Sequence, residues 1–375
     1  MSSSSVQILA TGAVTGSPAM FPAAVDTPDG LVVAYSTVPD GWPGGEVHVT
    51  RSDRTGETWS TPVVAAAAHA GEDAVLGALG MVRLANGALL LPVNAVTWNE
   101  GDGVAGRQIV LRLLRSDDGG ATWTNDVPVA IDFAWPAVYG QILELGDELL
   151  WPVWGRQDAA ERWRSALLSS TDGGLTWSLK ATIGYDPDAR LVGDYVESGN
   201  TDRGDADEIF DPEFRPHDPT DGFTETSVCA LGDGRLFAIL RQQGVGGDRT
   251  LAMFRSRSND GGSSWSPYEP AGFSGMSPAL HRLPDDSLLL ATRRHVPVGS
   301  DAAPGVEVRI GPADGTSWSD VTLLEDPYGT VLTSEYQCGY PAIVPQDGGV
   351  RVFFYSYRPD EGRYIAWNQI AVETT

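Results

Sequence analysis

The chain has 375 residues, 50 acidic and 25 basic, for a formal net charge of −25. Such a balance argues against nucleic acid, polyanions and anionic membrane surfaces as partners, and no apolar run approaches the roughly 20 residues of a membrane-spanning helix. The start, MSSSSVQILATG, shows neither the basic n-region nor the apolar core of a signal peptide, so the expectation is a cytoplasmic protein, or a secreted one whose leader has been removed.

Taken along the chain, six apolar hairpins alternate with a repeated turn. The first hairpin, FPAAVDTPDGLVVAYS from Phe21, is followed by SDRTGETW, Ser52 to Trp59. LGMVRLANGALLLPV from Leu79 precedes SDDGGATW, Ser116 to Trp123, and WPAVYGQILELGDELLWPVWGR from Trp135 precedes STDGGLTW, Ser170 to Trp177. TETSVCALGDGRLFAILR from Thr224 precedes SNDGGSSW, Ser258 to Trp265. MSPALHRLPDDSLLLATRR from Met276 precedes a worn copy, ADGTSW, ending at Trp318, and YPAIVPQDGGVRVFFYSYR from Tyr340 closes the series.

Short apolar runs bounded by Gly, Asp and Asn read as strands, and Asp-Gly centres supply the side-chain bonds and positive φ of tight turns. The Trp after each turn is a large apolar plug for the space between sheets. Six units at a fixed period predict an all-β protein, a six-bladed β-propeller of one domain over residues 1–375. The ring is expected to close by pairing Val6–Ala10 with strands near Arg363–Val372. Cys229 and Cys338 fall in blades four and six, which are not neighbours, so no disulfide is expected.

Spacing between the box tryptophans is 64, 54, 88 and 53 residues. The long interval places an acidic, Pro- and Gly-rich insertion at about residues 184–223, between blades three and four. A loop of that length is either a functional wall or a solvated flap.

Asp boxes on a six-bladed propeller resemble the sialidase (neuraminidase) superfamily, and the resemblance covers nearly the whole chain. The boxes mark the fold and lie away from the catalytic face, so activity must be argued from the site. The stretch ETSVCALGDGRLFAILR looks like the family segment that carries a catalytic Glu and a carboxylate-binding Arg, here Glu225 and Arg241. Tyr340, in CGYPAI, stands where the family places its nucleophilic Tyr, and Asp40 roughly where it places its acid/base Asp. The resemblance then implies that Glu225 takes a proton from Tyr340, a phenol that otherwise ionises near pH ~10. A Tyr nucleophile departs from the two-carboxylate scheme of most glycosidases. Neither a metal nor an organic cofactor is expected.

The chain also departs from that pattern. Where the family has its first triad arginine, Phe21 stands in MFPA. Before the worn fifth box, where the third is expected, only Arg309 appears, out of register. Two of three carboxylate-binding arginines are therefore expected to be absent. Against this, Arg156, Arg241, Arg293 and Arg358 all end second strands. They form either a rebuilt basic pocket for an anionic sugar or the ion-pair partners of the acidic insertion. His295 is a second candidate base and Glu335 a pocket carboxylate or a solvated one. Trp42, Trp98, Trp135 and Trp154 are candidates for stacking on sugars, Trp135 foremost.

Three functions follow. The first is a sialidase-like glycoside hydrolase acting on a terminal, possibly acidic, sugar that is not an ordinary sialoside. The second is a uronate polysaccharide lyase on the same propeller, with Tyr340 or His295 as base. The third is a non-catalytic propeller that binds glycan or protein.

Overall fold

A computed structural model describes residues 4–15, 18–39, 42–77, 80–98, 107–133, 135–157, 161–186, 222–243, 252–296 and 300–374. Asp40 lies outside these residues, as does 187–221, most of the expected insertion. Six antiparallel sheets follow one another along the chain. Blade one runs Met20–Thr27, Gly30–Ser36, Glu46–Ser52, Val63–Ala67. In blades two and three the innermost strand is split, into Ala74–Leu76 and Val82–Arg83, and into Trp135–Val138 and Leu143–Leu145. Blades four and five begin at Gly222–Gly232 and Met276–Arg282. Blade six runs Gly339–Gln346, Gly349–Arg358, Gly362–Thr374, and its outermost strand is the N-terminal Ser4–Thr15. Val6 pairs with Val372 and Ile8 with Ile370, the closure expected from the sequence. A closed ring of this kind leaves few open edges.

The second strand of each blade carries the core. Gly30–Ser36 is buried along its whole length, as is Leu288–Arg293. Strands buried on both faces read as continuous apolar runs, the pattern that LVVAYS and LLLATR show.

The boxes join third to fourth strands, and the three with paired glycines are built on one bonding scheme. In the fourth, Ser258 Oγ donates to Asp260 Oδ1 (2.8 Å) and accepts from Gly262 N–H (2.9 Å). Asp260 also accepts from Ser264, N–H at 2.9 Å and Oγ–H at 2.6 Å. The same scheme holds Asp118 and Asp172. Bonds from the Ser or Thr hydroxyl and N–H groups favour the charged form and bring the Asp118, Asp172 and Asp260 carboxyls down to about 2.

The second glycine of each of these three boxes has a further duty. Gly262 has φ +86, and a Cβ there would stand 2.5 Å from Leu167 of the preceding blade. Gly120 likewise faces Val32, and Gly174 faces Leu90. The boxes therefore seat each blade on the one before it.

Candidate active site

The site is assembled by a backbone device repeated at the inner end of four blades. Phe21, Glu225, Ser277 and Tyr340 all have positive φ, at 53°, 36°, 52° and 52°. Each sits where the first strand breaks register with the second, between Met20 and Ala23, Thr224 and Ser227, Met276 and Ala279, and Gly339 and Ala342. Of six described non-glycine residues with positive φ, these are four; the others, Asp233 and Asp286, lie in hairpin turns. Such conformations cost about 1–3 kcal/mol each and persist where the surroundings impose them, commonly at functional sites.

These four side chains meet. Tyr340 Oη donates to Glu225 Oε1 at 2.8 Å. Glu225 Oε2 accepts from Ser277 N–H at 3.0 Å and Ser277 Oγ–H at 3.4 Å, and pairs with Arg241 Nη1 at 2.6 Å. The Phe21 ring stands edge-on to Tyr340, and Tyr355 lies beside both rings. Tyr139 packs against the Tyr340 ring and donates to the Pro278 carbonyl at 3.0 Å. Glu225 is buried, whereas Tyr340 keeps part of its surface in solvent.

The cations follow from strand pairing. Two residues beyond the first pair after each register break stand Arg241, Arg293 and Tyr355, in blades four, five and six. Arg293 is 4% exposed, and its guanidinium faces the rings of Tyr340 and Tyr336 at 5.3 and 5.4 Å. Its Nε is buried with no hydrogen-bond partner among the described residues. Burial opposes its charge, but the facing Tyr355, Tyr340 and Glu225 outweigh this and hold it above its ordinary value. Burial also pushes the Glu225 carboxyl up; Arg241, then Arg293, outweigh that and bring it below its ordinary 4.5. The Tyr139 phenol is pushed well above its usual range by burial and by Glu225.

Of the four arginines that end second strands, Arg241 and Arg293 therefore stand at the site. Arg293, rather than the out-of-register Arg309, stands beside Tyr340, because its strand ends on the same ring of positions as Arg241; Arg309 is paired with Glu307. Arg156 ends the equivalent strand of blade three, paired with Trp135, but its guanidinium lies over Trp163 at 4.4 Å. Arg358 does not join the cluster. The equivalent position in blade six belongs to Tyr355, three residues earlier, and Arg358 pairs with Glu361 at 2.7 Å while lying over Tyr328. Trp135 opens its strand, with its side chain outside the description. Trp154 packs on Trp163. His295 pairs with Glu335 at 3.2 Å and makes no contact with Glu225 or Tyr340. Among the described residues no group of His, Cys, Asp and Glu is arranged to hold a metal.

Sequence reasoning missed Ser277, Tyr139 and Tyr355. A signal for Ser277 was present: Phe21-Pro22-Ala23, Trp135-Pro136-Ala137, Ser277-Pro278-Ala279 and Tyr340-Pro341-Ala342 repeat one tripeptide.

The sequence profile of the BNR repeat-like domain family matches residues 45–352. The chain belongs to that family. No curated protein matches this BNR repeat-like chain in sequence. Among solved structures it is similar to a Dyadobacter fermentans protein of unknown function, at 20% identity and TM-score 0.75, over 98% of this chain and 99% of that one. It is also similar to the Hadza microbial sialidase Hz136, at 18% identity and TM-score 0.65, over 94% of this chain and 65% of that one. Trypanosoma rangeli sialidase in complex with the inhibitor DANA follows at 12% identity and TM-score 0.62, over 95% and 55%. The BNR repeat-like chain thus has the sialidase-like six-bladed fold and spans just under two thirds of one of these sialidases and about half of the other.

Proposed function

We propose that this protein is a sialidase-like glycoside hydrolase that removes a terminal acidic sugar other than an ordinary sialic acid. The observation that carries the reading is the 2.8 Å hydrogen bond from Tyr340 Oη to the buried Glu225 carboxylate, beside Arg241 and Arg293. A neutral phenol is a weak nucleophile, and an adjacent base activates it. In the first step the Tyr340 proton passes to Glu225 while Tyr340 Oη bonds to the anomeric carbon. The glycosidic C–O bond breaks, and the leaving oxygen takes a proton from an acid, the role reserved for Asp40. In the second step water, deprotonated by that residue's carboxylate, displaces Tyr340, which recovers its proton from Glu225. T. rangeli sialidase has been captured with 2,3-difluorosialic acid as a covalent intermediate, which supports a covalent route for proteins of this fold.

The positive charge of Arg293, buried against the Tyr340 ring, favours both the phenolate and an incoming carboxylate. A lyase with His295 as base has less support, since His295 pairs with Glu335 and lines a cleft that neither Glu225 nor Tyr340 borders; a lyase with Tyr340 as base is the second reading. The test is a screen of aryl glycosides of neutral, uronic and sialic sugars, with wild type, Tyr340→Phe and Glu225→Gln. Release of the aryl group from an acidic glycoside by wild type, lost in both variants, is expected. An unsaturated product from uronate polymers, or turnover unchanged in Tyr340→Phe, rejects the reading.

A further inference from the structure

A polar cleft of about 430 Å³ opens on the flank of blade five, and neither Glu225 nor Tyr340 lines it. Its volume falls in the range of small-ligand sites, which start at about 300 Å³. Arg294, His295, Glu307, Arg309, Trp318 and Asp320 form its walls.

These groups are held before any ligand arrives. Glu307 is 2% exposed and holds both guanidinium groups, Arg294 Nε at 3.0 Å and Arg309 Nη2 at 2.5 Å. Arg309 is further fixed over the Phe273 ring at 4.7 Å, against which Trp318 also packs edge-on. Glu335 Oε2 engages His295 Nδ1 at 3.2 Å and accepts the Val296 N–H at 2.8 Å. That bond orients the imidazole and leaves Nε2 without a protein partner among the described residues. Side chains locked in this way lose little freedom when they bind.

Charge decides the class of ligand. The two guanidinium groups share Glu307, and Asp320 also lines the cleft, so the arginine charges are matched by carboxylates and leave no excess for an anion. What it offers is a set of fixed donors and an exposed carboxylate acceptor beside the half-buried indole of Trp318, which packs on Phe273. Hydroxyl groups need both donors and acceptors.

We propose that this cleft is a second saccharide-binding site, independent of the Tyr340 centre, which takes a neutral sugar by its hydroxyls, beside Trp318. Its hydroxyls meet Arg294, Arg309, Asp320 and His295 Nε2.

The test is ¹⁹F NMR of protein labelled with 5-fluorotryptophan, titrated with galactose, N-acetylglucosamine, lactose and glucuronate. The Trp318 resonance, one of 12, is assigned by its loss in Trp318→Phe. Expected is a saturable shift of that resonance by at least one neutral sugar, with a dissociation constant of about 1–10 mM. The shift persists in Tyr340→Phe and weakens about tenfold or more in Arg309→Gln. Should Trp318→Phe not fold, saturation-transfer difference spectra of unlabelled wild type, Arg309→Gln and Tyr340→Phe give the same comparison. Binding of glucuronate alone, loss of binding in Tyr340→Phe, or no saturable response to any of the four sugars overturns the proposal.

Discussion

Phe21 stands edge-on to Tyr340, with ring centroids 4.7 Å apart and planes at 78°. Both residues start from the same backbone, a left-handed residue before a proline at the break in register of an innermost strand. The two innermost strands are neighbours in the ring, so what stands at Phe21 decides what a substrate meets beside the Tyr340 ring. Arg241 and Arg293 bring charge from blades four and five; blade one brings a hydrocarbon face.

The first prediction concerns the chemistry. Tyr340→Phe should abolish turnover, and Glu225→Gln should lower kcat by about 10²–10⁴, the range of a general base. Stability separates the two. Tyr340→Phe removes one hydrogen bond and should cost about 1 kcal/mol. Glu225→Gln leaves Arg241 buried beside a neutral amide and should cost about 1–3 kcal/mol, read by denaturant unfolding. A Glu225→Gln protein with the wild-type rate would remove Glu225 from the mechanism.

The second concerns pH. Glu225 is depressed below 4.5 because Arg241 and Arg293 outweigh its burial. Arg241, Arg293, Tyr340, Tyr139 and Ser277 face it, and Glu225 is the only carboxylate among them. A depressed carboxyl adds stability above its unfolded pKa, and that stability is lost as pH falls through the lower folded value. The stability gap between wild type and Glu225→Gln should therefore be full above about pH 5 and shrink as the medium is made more acidic. The acid limb of kcat/KM should likewise lie below pH 4.5. A limb near neutrality would point to a different base.

Most of the fold was legible because two independent repeats, hairpin and box, share one period and neither depends on long-range detail. The closing strand was legible because VQILA alternates and its partner is apolar. The meeting of Glu225, Arg241 and Tyr340 was legible through the resemblance, which set all three at the inner ends of their blades. The place of Ser277 was not. Its part is played by a backbone N–H and a strained φ, which only the register break reveals. Arg358 misled because it was placed by the end of its strand, which in blade six runs three residues past the equivalent position, whereas pairing puts Tyr355 opposite Gly339.

The third prediction tests the seating of blades. Gly261 and Gly262 both have positive φ, at 68° and 86°, but a Cβ meets nothing within 4 Å at Gly261 and stands 2.5 Å from Leu167 at Gly262. Gly261→Ala should cost only the conformational penalty, about 1 kcal/mol. Gly262→Ala should cost about 1–3 kcal/mol more, through the forced shift against blade three. Asp260→Asn should lower Tm by about a degree or two at neutral pH and by less as pH falls toward 2, where the carboxyl titrates. Equal losses at the two glycines, by thermal unfolding, would refute the seating role.

The last prediction concerns substrate choice, and Phe21 decides it. A charged hydrogen bond contributes about 1.5–3 kcal/mol, so a missing bidentate arginine weakens a carboxylate contact by roughly two to four powers of ten. Arg241 and Arg293 remain, but Arg241 is already committed to Glu225 at 2.6 Å. Phe21 adds a further penalty by setting an apolar ring where the charge of a sialic acid would rest, which leaves that charge poorly solvated. Wild type should therefore show negligible cleavage of aryl sialosides. Phe21→Arg should raise that cleavage about tenfold or more, since Arg tolerates the same φ no worse than Phe and the rings of Tyr340 and Tyr355 can hold a guanidinium by cation–π contact. Kinetics on one aryl sialoside with the two proteins settle the matter: efficient turnover by wild type would show that Arg241 and Arg293 suffice, and that Phe21 does not set specificity.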